Sequence, residues 1–238
     1  MDNQLELVAK SYDTAIELGG KGVVDPYRNL PGYITDDPDF FIYQLQIEGE
    51  TEGLTSSVSC IVRDYLSPAA GMKFIDLGCC LNLMFRGYGE WPSTYYGVDI
   101  SGKTIGLLEE FAAKNAGLNV GSLYCGSIHE TPYEADFFDI GACIGVLEYF
   151  ERDFAERAIK EARRIIKPGG RFVLDIPNLG APACRIMMLV EEYMGRPDKF
   201  DMRPLEFENM IKNYFYIDAS TAADDGAMGI MYCLRRKE

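Results

Sequence analysis

The stretch Lys73–Ser101 constrains this chain more than any other. It opens with a short apolar run, Phe74, Ile75 and Leu77, which carries one acid, Asp76, and breaks at Gly78. A second apolar run, YYGVDIS, follows a turn-rich spacer and ends in another acid, Asp99. A strand that stops at glycine, a tight turn, and a second strand ending in a carboxylate is the plan of a mononucleotide-binding βαβ unit. The glycine lets backbone approach a ligand closely, and the second carboxylate can accept hydrogen bonds from both hydroxyls of a ribose.

The rest of the chain alternates in the same way. Apolar runs at Ser122–Cys125, 138–144 and 171–177 predict three more strands, and NYFYIDAS and GIMYCLRRK supply two last ones. The run 138–144 is almost continuously apolar, as expected of a strand buried on both faces. Between the strands, Ser101 N-caps a helix that Gly117 closes, and residues 152–166 place Phe154, Ala155, Ile159, Ala162 and Ile166 on one helical face. Lys167-Pro168-Gly169-Gly170 reads as a turn. Helix-length crossovers imply a mainly parallel sheet covered on both sides. The short ADDGA stretch between the last two strands implies an antiparallel closing hairpin.

Ahead of this unit, residues 1–20 show helical spacing through Leu5, Val8, Ala9, Tyr12, Ile16 and Leu18, and Leu54–Leu66 predicts another helix stopped by Pro68. Residues 22–42 mix Pro, Gly and Asp with Tyr27, Tyr33, Phe40 and Phe41, which is loop chemistry carrying aromatics. Residues 1–66 are therefore expected to form a helical and aromatic cap, with 67–238 as the main domain. Five of the ten methionines fall between 187 and 210, in an insert (178–213) expected to roof a pocket.

Composition narrows the partners. A formal charge of −14 disfavours nucleic acid and anionic membranes, and no apolar run approaches the ~20 residues that span a bilayer. Residues 1–60 hold eleven Asp or Glu against three Lys or Arg, which reads first as a solvated face. Seven cysteines without paired CxxC spacing, and one histidine, argue for reduced thiols and against zinc. The polar opening MDNQLE lacks the features of a signal peptide, so a cytoplasmic protein is expected. The sequence carries no signal for an oligomeric state.

In the order and spacing of KFIDLGCCLNLMF, YYGVDIS, GSIHETPYEADFFD, FDIGACIGVLEYF and EARRIIKPGGRFVLDIPN, the chain resembles the class I S-adenosylmethionine-dependent methyltransferases. The resemblance covers about residues 70–180 and implies an α/β fold: a seven-stranded, mostly parallel sheet with an antiparallel last strand. It implies S-adenosylmethionine as cofactor and a small-molecule acceptor methylated on O, N or C. By position, Asp99 and Ile100 then take the ribose, and Ser127 and Ile128 the adenine edge. Asp76, Gly78, Cys79, Cys80, Ile144 and Tyr12 fall at the methionine end. Cys80 and Asn82 stand where the family has glycines. Cys80 is expected in an ordinary β or bridge conformation, and Asn82 as a glycine substitute able to turn left-handed.

Glu148 and Tyr149 follow the fourth strand and face the expected transfer site, so they are the candidate catalytic residues. His129 falls beside adenine by position and is not expected to act as a base. The quinone O-methyltransferases carry a metal-associated Glu-x-x-Glu-His here, whereas this chain has Gly145, Glu148 and Tyr149, so no metal is expected. The alternative reading is a methyltransferase fold without turnover, serving as a cofactor-binding or partner subunit. Its support is Cys80, Asn82 and Ser127.

Overall fold

The computed structural model describes residues 3–20, 29–50, 57–221 and 226–238. Strands β1 (Lys73–Leu77), β2 (Thr94–Asp99), β3 (Val120–Cys125), β4 (Phe138–Cys143), β5 (Ile166–Pro177), β6 (Phe215–Ser220) and β7 (Gly229–Arg236) form one sheet. Its order is β3-β2-β1-β4-β5-β7-β6. All pairings are parallel except those of β7, which runs antiparallel to both β5 and β6. The expected α/β, mostly parallel sheet is the one observed.

Side-chain alternation explains the two covered faces. Along β5, Phe172, Leu174 and Ile176 point into one buried cluster and Val173 into the other. The first cluster takes helices α7 (Arg152–Ile165) and α9 (Pro204–Ile211), through residues such as Phe154, Ala158, Ala162, Phe207 and Ile211. The second takes α4 (Ser57–Leu66) and α6 (Gly102–Lys114), through Val62, Leu66, Ile105 and Leu108. Helix α4, which the sequence groups with the cap, thus lies directly on the sheet.

Three local expectations change. Phe40 and Phe41 open a helix, α3 (Phe40–Glu50), instead of lying in a loop, after a single turn α2 (Gly32–Thr35). Loop chemistry ends at Asp39, and nothing in FFIYQLQIEGE before Gly49 breaks a helix. Helix α6 is N-capped by Ser101, whose side chain accepts from Thr104 N–H, but it stops at Lys114 with Asn115 at the C-cap. Gly117 closes nothing, because the chain has already left the helix. Lys167–Gly170 sit inside β5 as a bulge: Ile166 pairs with Phe138 and Arg171 with Ile140, so the intervening residues are extruded opposite Asp139. Gly169 at φ 74° and a 2.5 Å bond from Lys167 Nζ to Asp139 hold that bulge. Tyr27, Leu54 and the first part of the ADDGA stretch lie outside the described residues.

The ends of β1, β2, β4 and β5 all point the same way, and the chain segments after them surround a cavity. Helix α1 (Asn3–Gly20) closes one side of it, and α8 (Pro182–Tyr193) helps to close another. Helices α2 and α3 pack against α8 in a separate apolar cluster through Ile34, Tyr43, Ala183, Ile186 and Val190.

Candidate active site

The turn after β1 makes the cavity possible. Gly78 has φ 75°, and its N–H, like that of Cys79, bonds Val98 O of β2. A Cβ there would lie 2.2 Å from Val146, so glycine is required by conformation and by the crossing of the loop after β4. Cys80 is also left-handed, at φ 38°, correcting the expected β or bridge conformation. Its N–H donates to Asp99 Oδ2 at 2.8 Å, which fixes that unusual backbone. Asn82 does not turn left-handed. It opens the short helix α5 (Asn82–Phe85), where its side-chain amide donates to Asp76 at 3.1 Å and its Oδ1 accepts from Arg86 Nε at 3.1 Å.

The cavity, about 420 Å³, is lined by Gly78, Cys80, Asp99, Ile100, Ser127 and Ile128, with Ile144 and Val146 from the β4 end. Leu5, Val8 and Tyr12 of α1 cover it. Tyr149, Phe150 and Phe154 add an aromatic wall. Two expected members lie elsewhere. Cys79 is fully buried in the core, with its thiol against Gly97, because alternation along the turn sends it away from the cavity. Asp76 sits behind the turn, accepts from Tyr95 O–H at 2.9 Å, and keeps Oδ1 buried without a partner. Burial pushes its carboxyl up to about 6.

Asp99 presents hydrogen-bond acceptors to the cavity. It is 8 % exposed, and its two oxygens each accept one backbone N–H, from Cys80 and Ser101, both at 2.8 Å. Each carboxylate oxygen has a second lone pair to offer, and the carboxylate borders the cavity. Ser127 Oγ is 2.5 Å from His129 Nδ1, and His129 packs on Phe154 outside the cavity lining.

Helix α1 is fastened at several points. Asp13 accepts from Ser101 Oγ at 2.6 Å at the N-terminus of α6, and Gln4 donates to Pro197 O. Ser11 bonds Met194 O and Arg196. Arg196 pairs with buried Glu191 and lies 4.7 Å over the Tyr12 ring. Tyr12 and Tyr149 meet hydroxyl to hydroxyl at 3.1 Å, and Tyr149 also donates to Glu191. Tyr149 therefore belongs to this cavity and its roof.

A second chamber of about 730 Å³ opens beside the first and shares Arg86, Ile144, Gly145 and Glu148 with it. Its walls are largely apolar: Leu45, Val58, Ile61, Met187, Met228 and Met231. Of the methionine-rich insert only Met187 contributes, whereas Met202 and Met210 are core, and Glu191 of α8 reaches the first cavity instead. Tyr33 and Phe41 are exposed, and Phe40 packs in the α2–α3–α8 cluster, so these cap aromatics do not cover the cavity. Burial, reinforced by the charge of Asp175, pushes the Glu148 carboxyl well above the carboxylate range. Arg86, Val146, Glu191 and the Leu5–Val8 pair were missed by the sequence reading. Only the helical spacing of Leu5, Val8 and Tyr12 hinted at a shared face.

Among the described residues, no group of three or more His, Cys, Asp or Glu could hold a metal ion, and no helix is long and apolar enough to cross a membrane. Cys79, Cys143, Cys184 and Cys233 are buried free thiols, whereas Cys125 is exposed.

This sheet order, with the cavity at the strand ends, is that of the Rossmann-like methyltransferase fold. The family model described as a methyltransferase domain matches residues 75–174 of this chain. A ubiquinone biosynthesis O-methyltransferase of Coxiella burnetii is 27% identical over 124 residues, covering 52% of this chain and 51% of that protein. The chain spans about half the length of the curated relatives it matches. Among solved structures, a geranyl diphosphate C-methyltransferase from Streptomyces coelicolor superposes with a TM-score of 0.69 at 16% identity, covering 99% of this chain and 98% of that one. A Pyrococcus horikoshii OT3 protein gives 0.61 at 23% identity over 89% and 98%. At these identities the structural likeness speaks for the fold. The cofactor of such methyltransferases is S-adenosylmethionine.

Proposed function

We propose that the chain methylates a small molecule held in the larger chamber, with S-adenosylmethionine in the 420 Å³ cavity. The observation that carries this reading is the Asp99 carboxylate, buried at the end of β2 and bordering the cavity. When bound, the cofactor supplies a methyl group already activated on a sulfonium. What remains for the protein is alignment and exclusion of water.

In this reading Asp99 accepts from both ribose hydroxyls, beside Ile100. Ser127 and Ile128 border the adenine. Gly78, Cys80 and Ile144 border the methionine end, with Tyr12 and Tyr149 above it. Asp76 acts from behind by holding Asn82 and the turn. Glu148, at the neck between the two spaces, accepts the acceptor's proton where there is one to lose. Arrival of the acceptor from the chamber side suits the shared neck. The substitutions that favour a protein without turnover leave the site in shape: Cys80 still makes the left-handed turn, and Ser127 still borders the cavity.

Calorimetry with S-adenosylhomocysteine tests the reading. The wild-type chain is expected to bind it and melt at a higher temperature. Asp99→Ala is expected to lose at least tenfold in affinity, since it removes the ribose acceptor and the partner of Cys80 N–H. No binding to the wild type at millimolar ligand would sink the proposal.

A further inference from the structure

The polar groups of the large chamber are, with one exception among the cations and amides, already occupied by the protein itself. Gln46 uses both ends of its amide, donating to Gly226 O and accepting from Met228 N–H. Thr221 Oγ1 accepts from Met231 N–H, and Asp175 Oδ1 from Gly145 N–H. Arg86 differs. Its Nε donates to Asn82 Oδ1, it forms no ion pair among the described residues, and it lines both spaces where they meet. The two terminal nitrogens carry four N–H donors in a fork that matches a carboxylate.

From this geometry we infer that Arg86 grips a carboxylate of the acceptor, so that the substrate class is an apolar small molecule bearing one acidic group. The inference rests on the methyltransferase reading of the chamber. The flanking acids do not oppose it strongly. Asp175 is already hydrogen-bonded to Gly145, and burial disfavours the charged form of Glu148. The chamber's apolar walls would hold the remainder of such a molecule and strengthen the ion pair by excluding water. The Asn82 bond holds Arg86 at the neck, with its terminal nitrogens unassigned, so little side-chain freedom is left to lose on binding.

The cofactor has a carboxylate of its own, and the experiment separates the two sources. Benzoate and hexanoate, with benzamide and hexanamide as neutral counterparts, are titrated at pH 7 into wild type, Arg86→Gln and Arg86→Lys. Each titration is run with and without saturating S-adenosylhomocysteine, whose own affinity is measured first. We expect the two acids to bind the loaded wild type at least tenfold more tightly than the amides. Arg86→Gln should abolish that preference and Arg86→Lys retain part of it, with S-adenosylhomocysteine affinity changed less than threefold. Equal binding of acids and amides to wild type overturns the inference, as does an acid preference that survives Arg86→Gln. A tenfold loss of S-adenosylhomocysteine affinity in Arg86→Gln, without an effect on the acids, also overturns it and assigns Arg86 to the cofactor. Failure of wild type to bind S-adenosylhomocysteine overturns the underlying function instead, and the unloaded titrations still read the anion preference.

Discussion

At the residue scale, the site turns on how burial changes carboxylates. Burial pushes the Asp99 carboxyl up, and the N–H groups of Ser101 and Cys80 oppose that shift by bonding its anion, the form that accepts from hydroxyls. At Glu148 burial outweighs a single backbone hydrogen bond, and Asp175 repels its charge. Glu148 therefore holds its proton at pH values where ordinary glutamates are ionised, and once ionised it is a stronger base. If Glu148 accepts the acceptor's proton, turnover should rise with pH through an apparent value above the carboxylate range. Glu148→Gln should flatten that rise and lower the plateau on the order of a hundredfold. A pH–rate profile unchanged by the substitution would remove Glu148 from the chemistry. Asp99 was legible in the sequence because its place follows from the strand pattern. Arg86 was not, since only folding brings it to the neck.

At the element scale, if the smaller cavity holds the cofactor, α1 must both pack over it and open. Leu5, Val8 and Tyr12 recur at helical spacing and cover the cavity, while the opposite side meets solvent. Much of its fastening is polar: Gln4, Ser11 and Asp13 reach the loops around it, and Glu17 pairs with Lys103 at the surface. Such contacts are individually worth ~1 kcal/mol, so a helix held by them can open far below the cost of global unfolding. Asp13→Ala removes a carboxylate from the N-terminus of α6 and from Ser101. Hydrogen exchange in residues 5–16 should accelerate roughly tenfold in this variant, while β1 and β4 are unaffected. S-Adenosylhomocysteine should slow the same segment in the wild type. Equal exchange of α1 in both proteins, loaded and empty, would show that it is a fixed wall. The cap's aromatic content pointed to a cover, but the element over the smaller cavity is α1, because Phe40 and Tyr43 of α3 pack in the cluster with α8.

At the scale of the whole molecule, stability should carry the imprint of one misplaced charge. Asp198, in the segment between α8 and α9, has both carboxylate oxygens buried without partners. Burial and the negative Glu191 push its carboxyl up to about 7, with Arg196 opposing. The folded value lies above the unfolded one of roughly 3.9. The native state thus binds the proton more tightly, and this contribution to stability, complete below about pH 4, is lost as pH rises to about 7. Asp198→Asn should raise the melting temperature at pH 8 and change it little at pH 4.5, measured by calorimetry at both. An equal shift at the two pH values would assign the gain to packing.

The sequence by itself determined the sheet and the place of its ligand cavity. Alternating apolar runs and helix-length crossovers admit few topologies, and Gly78 and Asp99 mark strand ends whatever surrounds them. Capping at Ser101 was legible for the same reason, being local chemistry. Tertiary structure alone decided the remainder. Val146 crosses over Gly78, the left-handed turn falls on Cys80 while Asn82 bridges Asp76 to Arg86, and residues from α3, α4, α8 and β7 meet in one chamber. Each of these depends on contacts between segments far apart in the chain. Spacing along a sequence records which face a residue occupies, but not what the folded chain brings opposite to it.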